Sequence, residues 1–190
     1  MVELLLKKGA LIDAKGEVNK TPLLCAARKG HTETVRVLLE NNADINAEYN
    51  EGLAPLITAA WHGHTKVVEL LLEKGAQIDV TCKTGMTPLM FAALWGNMDT
   101  VGFLLEKGAS LDKTDNNGRS ALMMARNGRK PGTAELIEQW PEILRQREEL
   151  ERREKERETA EAGVKERAAA QLEKLKSRRP PKSPFKKDQP

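Results

Sequence analysis

Thr21-Pro22-Leu23-Leu24-Cys25-Ala26-Ala27 returns three times along the chain at a spacing of 33 residues. The returns are Ala54-Pro55-Leu56-Ile57-Thr58-Ala59-Ala60, Thr87-Pro88-Leu89-Met90-Phe91-Ala92-Ala93 and Ser120-Ala121-Leu122-Met123-Met124-Ala125-Arg126. A second marker keeps the same period: Leu5-Leu6, Leu38-Leu39, Leu71-Leu72 and Leu104-Leu105. Two markers in one phase over most of the chain predict a solenoid of stacked units.

Each unit reads as two short helices. Thr21 and Thr87 suit a helix N-cap, and Pro22, Pro55 and Pro88 suit the first helical position, where no N–H is missed. Ala54 lacks the capping hydroxyl. Gly52, Gly85 and Gly118 stand three residues before the proline position, where a turn of positive φ is expected, and Asn19 takes that place once. Gly30, Gly63 and Gly96 separate the two helices. Gly75-Ala76 and Gly108-Ala109 end the second, with Asn42 standing in once. The Ala-Ala pairs let neighbouring units approach closely.

The period and the Thr-Pro-Leu signature resemble the ankyrin repeat over roughly residues 2–140. The resemblance implies an all-α solenoid of helix-turn-helix units with short β-hairpin loops. Its expected parts are a partial repeat at 1–15, full repeats at 16–48, 49–81 and 82–114, and a closing repeat at 115–140. In the closing repeat Ala121 replaces Pro, Arg126 replaces the second Ala, and Arg129-Lys130-Pro131-Gly132 reads as a longer break between the helices. Residues 2–15 match only the second helix and loop of a repeat, so Met1 is expected to be an internal start relative to a longer parent chain.

The net charge of +3 is unevenly spread. Residues 1–140 carry 16 Lys/Arg against 17 Asp/Glu, and residues 141–190 carry 15 against 11. Residues 141–176 are rich in helix formers, with Glu148/Arg152, Glu149/Arg153, Glu151/Lys155 and Glu161/Lys165 spaced as i,i+4 pairs. A coiled-coil seam through Ile143 and Leu150 meets Arg157 and Gln171, which favours a solvated single helix over a dimer. Residues 177–190 read as a disordered, basic, Pro-rich tail.

No catalytic constellation is present: there is no Gly-rich loop with Lys, no Gly-x-Ser-x-Gly and no His-Glu-x-x-His, and no cofactor is implied. His62 and His64 lack Cys or acidic partners, and His64 shares its phase with His31, so a structural role outweighs a metal site. Cys25, in the middle of a first helix where a small apolar residue is wanted, and Cys82, at a loop position, form no metal pattern and suit a reducing compartment. No apolar run approaches the ~20 residues of a membrane span, and no signal peptide is evident. An intracellular, soluble, monomeric protein of the cytoplasm or nucleus is expected.

In ankyrin repeats, by resemblance, a partner protein lies on the concave face made of hairpin tips and first-helix ends. Carried over position by position, this marks Arg28, Lys29, Tyr49, Leu53, Trp61, His62, Met86, Leu94, Trp95 and Arg119. Aromatic anchors beside Arg are typical of protein-binding hot spots. Trp61 and Trp95 are expected to project from neighbouring helix ends, outside the core. The tail supplies a proline motif, Arg178, Pro181 and Pro184 with Lys186, for a proline-motif-binding domain. Lys174 to Lys187 also suits a polyanion, and Ser183-Pro184 suits a proline-directed kinase. Two readings result: a non-enzymatic adaptor or scaffold using the repeat face, or a nucleus-associated regulator binding nucleic acid through the tail.

Overall fold

The computed structural model describes residues 2–16 and 19–177. These residues fold entirely into helices and loops: α1 (Val2–Lys7), α2 (Pro22–Lys29), α3 (Thr32–Glu40), α4 (Pro55–Trp61), α5 (Thr65–Glu73), α6 (Pro88–Trp95), α7 (Met98–Glu106), α8 (Ala121–Asn127) and α9 (Pro131–Ser177). The chain divides into two compact units, Met1–Trp140 and Pro141–Pro190.

In the first unit the first helices stack in order, α2 on α4, α4 on α6 and α6 on α8. The second helices run α1, α3, α5, α7 in the same way. Small residues allow this close approach: Ala26-Ala27, Ala59-Ala60 and Ala92-Ala93 are all buried. Leu23, Leu56 and Leu89 fill one side of the first helices, and Val35, Val67 and Val101 with Leu38, Leu71 and Leu104 fill the second. One hydrophobic core therefore runs from repeat to repeat.

Local chemistry sets each helix boundary. The Thr21 and Thr87 hydroxyls accept from Leu24 N and Met90 N at 3.3 Å, and Ser120 accepts from Met123 N at 3.4 Å. Ala54 holds the same extended backbone without a side-chain bond. Every hairpin tip is closed by one backbone bond in the same phase: Gly16 N to Lys20 O, Tyr49 N to Leu53 O, Cys82 N to Met86 O and Asp115 N to Arg119 O, at 3.0 to 3.3 Å. Among the described residues the tips carry only isolated antiparallel bridges, Tyr49–Leu53 and Thr114–Ser120. Gly85 shows why the turn excludes a side chain: its φ is +78°, and a Cβ would meet the Asn116 side chain of the next tip. Asn19 adopts the same conformation at φ 59°.

The tips and loops are also bonded to one another. Lys83 N donates to Glu51 O at 2.8 Å and Asn116 N to Thr84 O at 3.0 Å, one repeat apart. Asp13 accepts from Asp44 N at 3.2 Å and Asp79 from Ser110 N at 3.2 Å. At the helix ends, His64 and Asn97, which share a phase with His31 and Lys130, do the same work. His64 Nε2 lies 3.1 Å from Arg28 O, and Asn97 Nδ2 donates to Ala60 O and Trp61 O at 2.9 Å. The His64 ring occupies the space where a Cβ on Gly30 would sit. His64 is thus a capping residue for the preceding helix.

The last repeat is closed by the start of α9, whose Thr133, Ala134, Ile137 and Trp140 are buried on one face. The break before it is Gly128–Lys130, no longer than His62–His64 between α4 and α5; Pro131 and Gly132 already belong to the helix. Arg126 is exposed and pairs with Glu138.

In the second unit α9 continues to Ser177 with Pro141 inside it. Among its ion pairs are Arg153–Glu149 at 2.9 Å, Arg145–Glu142 at 3.0 Å and Arg147–Glu151 at 3.4 Å. Arg152 pairs with Glu149 and, at 3.8 Å, with Glu156. The Arg152 hydrogen bond, with Arg153 beside it, holds the Glu149 carboxyl below its ordinary value. Ile143, Leu150, Val164 and Leu175 are exposed and do not form a continuous seam. The tail motif Arg178, Pro181, Ser183, Pro184 and Lys186 lies outside the described residues.

Three outcomes are expected. Thr87→Ala should lower stability by about 1 kcal/mol through loss of its cap, and Ala54→Thr should raise it by a similar amount, because Thr21 and Thr87 fit the same buried phase. Chemical denaturation of both variants checks this; two shifts of the same sign would contradict the capping account. Second, Leu4 and Leu5 on α1 are more than half exposed, whereas Val68, Leu70 and Leu71 on α5 are buried. Residues 3–8 should therefore exchange amide hydrogens faster than residues 68–73.

The third outcome concerns Asp115, whose carboxylate is buried and takes hydrogen bonds from Arg119 Nε at 2.8 Å and from the backbone of Arg119 and Asn117 at 2.8 and 3.0 Å. The Arg119 guanidinium outweighs burial and holds this carboxyl below its ordinary 3.8. A lowered folded-state value means that the stabilisation is full above the ordinary value and fades as pH falls through the lowered one. Asp115→Asn should thus be less stable than the parent at neutral pH, with the gap closing in acid. An undiminished gap at pH ~2 would refute this.

Candidate functional site

The first-helix ends present a different side-chain pair in each repeat. Arg28 and Lys29 close α2, Trp61 and His62 follow in the next repeat, then Leu94 and Trp95, then Asn127 and Gly128. The stacking described above brings these pairs side by side.

The centre is aromatic. Trp61 stacks on Phe91 with ring centroids 5.5 Å apart and lies 6.2 Å from Trp95, tilted by 33°. His62 flanks Trp61 at 5.3 Å and faces His64 at 6.1 Å. The two tryptophans differ in setting. Trp95 is 52% exposed, whereas Trp61 is half-buried and packs against the core. The expectation that both rings stand clear of the core therefore holds only for Trp95. Phe91, in phase with Cys25 and Thr58, supplies the surface on which Trp61 rests. The one available sequence signal was a ring where the two preceding repeats hold Cys25 and Thr58.

Five further expected contact residues are placed differently from the expectation. Tyr49 and Met86 are buried, at 7% and 8% exposure. Tyr49 shares its phase with Cys82 and Asp115, and all three are buried because each opens a hairpin against its neighbour. Met86 is the closing partner of Cys82 in the same hairpin. Arg119 is partly exposed but its guanidinium is engaged by Asp115 at 2.6 Å, so it is no free cation at the C-terminal side of the tryptophans. Leu53 is half-buried against the core. Leu94 is likewise half-buried, while Arg28, Lys29 and His62 are exposed. The cysteines differ in setting. Cys25 is exposed on α2, and Cys82 is buried with its thiol 3.0 Å from the Thr84 hydroxyl.

His62 Nδ1 is 2.9 Å from Thr58 O, within its own helix. Among the described residues, no group of three or more His, Cys, Asp or Glu side chains is placed to hold a metal. No helix among them is long and apolar enough to cross a membrane.

A search of curated proteins finds no match to this chain. A family model described as ankyrin repeats, three copies, matches residues 1–82 and again residues 74–146. With the 33-residue phase, the capped helix pairs and the hairpin tips in register, the chain belongs to the ankyrin-repeat family.

Proposed function

We propose that the chain is a non-enzymatic adaptor that binds a partner protein on the face made of hairpin tips and first-helix ends. Ankyrin repeats are protein-interaction modules, and Trp95 carries the assignment to this face. A large ring more than half exposed, held beside a half-buried Trp61, is the kind of rigid aromatic anchor that dominates binding energy. Arg28 and Lys29 at one end favour a partner with acidic groups there. The seven Lys/Arg from Lys174 onward support a second contact, to a proline-motif-binding domain or a polyanion, and with it a nuclear role. Binding through the tail would weaken steeply with salt, whereas binding through the tryptophans would not.

Trp95→Ala should weaken binding of proteins captured from source-cell lysate by about 2 kcal/mol or more. Its effect on stability should stay within ~0.5 kcal/mol, because the ring is at the surface. Trp61→Ala should cost about 1–3 kcal/mol of stability as well as affinity, since Phe91 loses its stacking partner. Isothermal titration and denaturation of the two single variants separate these effects. Unchanged affinity in Trp95→Ala would remove this face from the account.

A further inference from the structure

Beside the aromatic centre, at the end formed by α2, is a pocket of about 130 Å³ lined by Lys20, Leu24, Cys25, Arg28, Lys29 and Tyr49. Leu24 and Tyr49 are buried at 1% and 7% exposure, so two apolar side chains form its floor. Three of the remaining lining residues are cations. Lys20 Nζ stands 5.5 Å from the centre of the Tyr49 ring, while Arg28 and Lys29 occupy the last turn of α2. Among the described residues none of the three is paired with a carboxylate, unlike Arg119 at its own tip.

We infer that this pocket is a subsite for an acidic peptide segment, taking one apolar side chain into the pocket and its flanking carboxylates onto Lys20, Arg28 and Lys29. The inference rests on the reading of this face as a protein-binding surface and names the chemistry of the partner there. The volume is close to that of an apolar cavity of ~150 Å³ that takes up benzene, so one ring or branched aliphatic group fits. Cations at a helix C-terminus are favourable in themselves. The repeat does not require them, however, because the same two positions are Trp61-His62 and Leu94-Trp95 in the next repeats. Charge complementarity thus singles out an acidic ligand. An extended polyanion fits less well, since the neighbouring tip exposes Glu48 and Glu51.

Cys25 makes the subsite directly measurable. Its thiol is exposed in this pocket, whereas Cys82 is buried and bonded to Thr84, so a maleimide reports occupancy at one position. The experiment selects displayed random peptides on the full chain and then measures the enriched peptides as synthetic ligands. Peptides with Asp or Glu on both sides of Leu, Phe or Tyr are expected. Their affinity should fall at least about tenfold in Arg28→Gln/Lys29→Gln and on raising salt, and they should slow maleimide labelling of Cys25. Neutral or basic winners would overturn the inference. So would acidic peptides that bind the double variant equally or leave Cys25 labelling unchanged. Protection of Cys25 by a single-stranded oligonucleotide but not by peptide would assign the pocket to nucleic acid instead. Peptides sensitive only to Trp95→Ala would remove this subsite and leave the protein-binding face standing. Enrichment of no peptide at all would count against both.

Discussion

A pair of helices seven to nine residues long cannot cover its own apolar face, and the stacking of the first unit follows from that constraint. Leu23, Leu56 and Leu89 become fully buried only because another repeat lies against them. Stacking must then be close and in register. The Ala-Ala pairs provide the closeness. The register is held three times over: by tip-to-tip backbone bonds, by Asp13 and Asp79 at the loops, and by His64 and Asn97 at the first-helix ends. These lateral bonds also satisfy backbone groups that a short helix leaves open.

That division of labour explains what could be read from the residues. The period, the boundaries of the helices in the three full repeats, the Thr21 and Thr87 caps with the uncapped Ala54, and the recurring positive-φ turn position were legible, because each repeat checks the others; the start of α9 at Pro131, in the one repeat that departs from the pattern, was not. A Gly at 52, 85 and 118 with Asn at 19 has one economical explanation, and the backbone agrees. His64 was legible as structural for the same reason, through its phase with His31.

Exposure at the tips was less legible, because it depends on what the neighbouring repeat places opposite. Tyr49 looked like a surface ring from its hairpin-tip position in the repeat, yet its phase opens a hairpin and is covered in three successive repeats. Arg119 looked like a free cation, but its charge is taken by a carboxylate four residues earlier. Trp61 and Trp95 looked equivalent, and Phe91 made them different by giving only Trp61 a surface to lie on. Cys25 differs from its in-phase counterparts Thr58 and Phe91 in being exposed, and a single-repeat pattern carries no sign of that.

The inequality of the tryptophans bears on how such a face would work. An exposed ring on a free side chain loses conformational freedom when a partner captures it, and that loss subtracts from affinity. Here Trp61 rests on Phe91 at the edge of the core, and it flanks Trp95 at 6.2 Å. The inner ring narrows the orientations open to the outer one before any partner arrives. Packing energy in the repeat is thereby converted into preorganisation at the surface. The fold itself names no partner. A partner would instead be selected by the order of side chains at one phase of the repeat, basic at α2, aromatic across α4 and α6, and polar at α8.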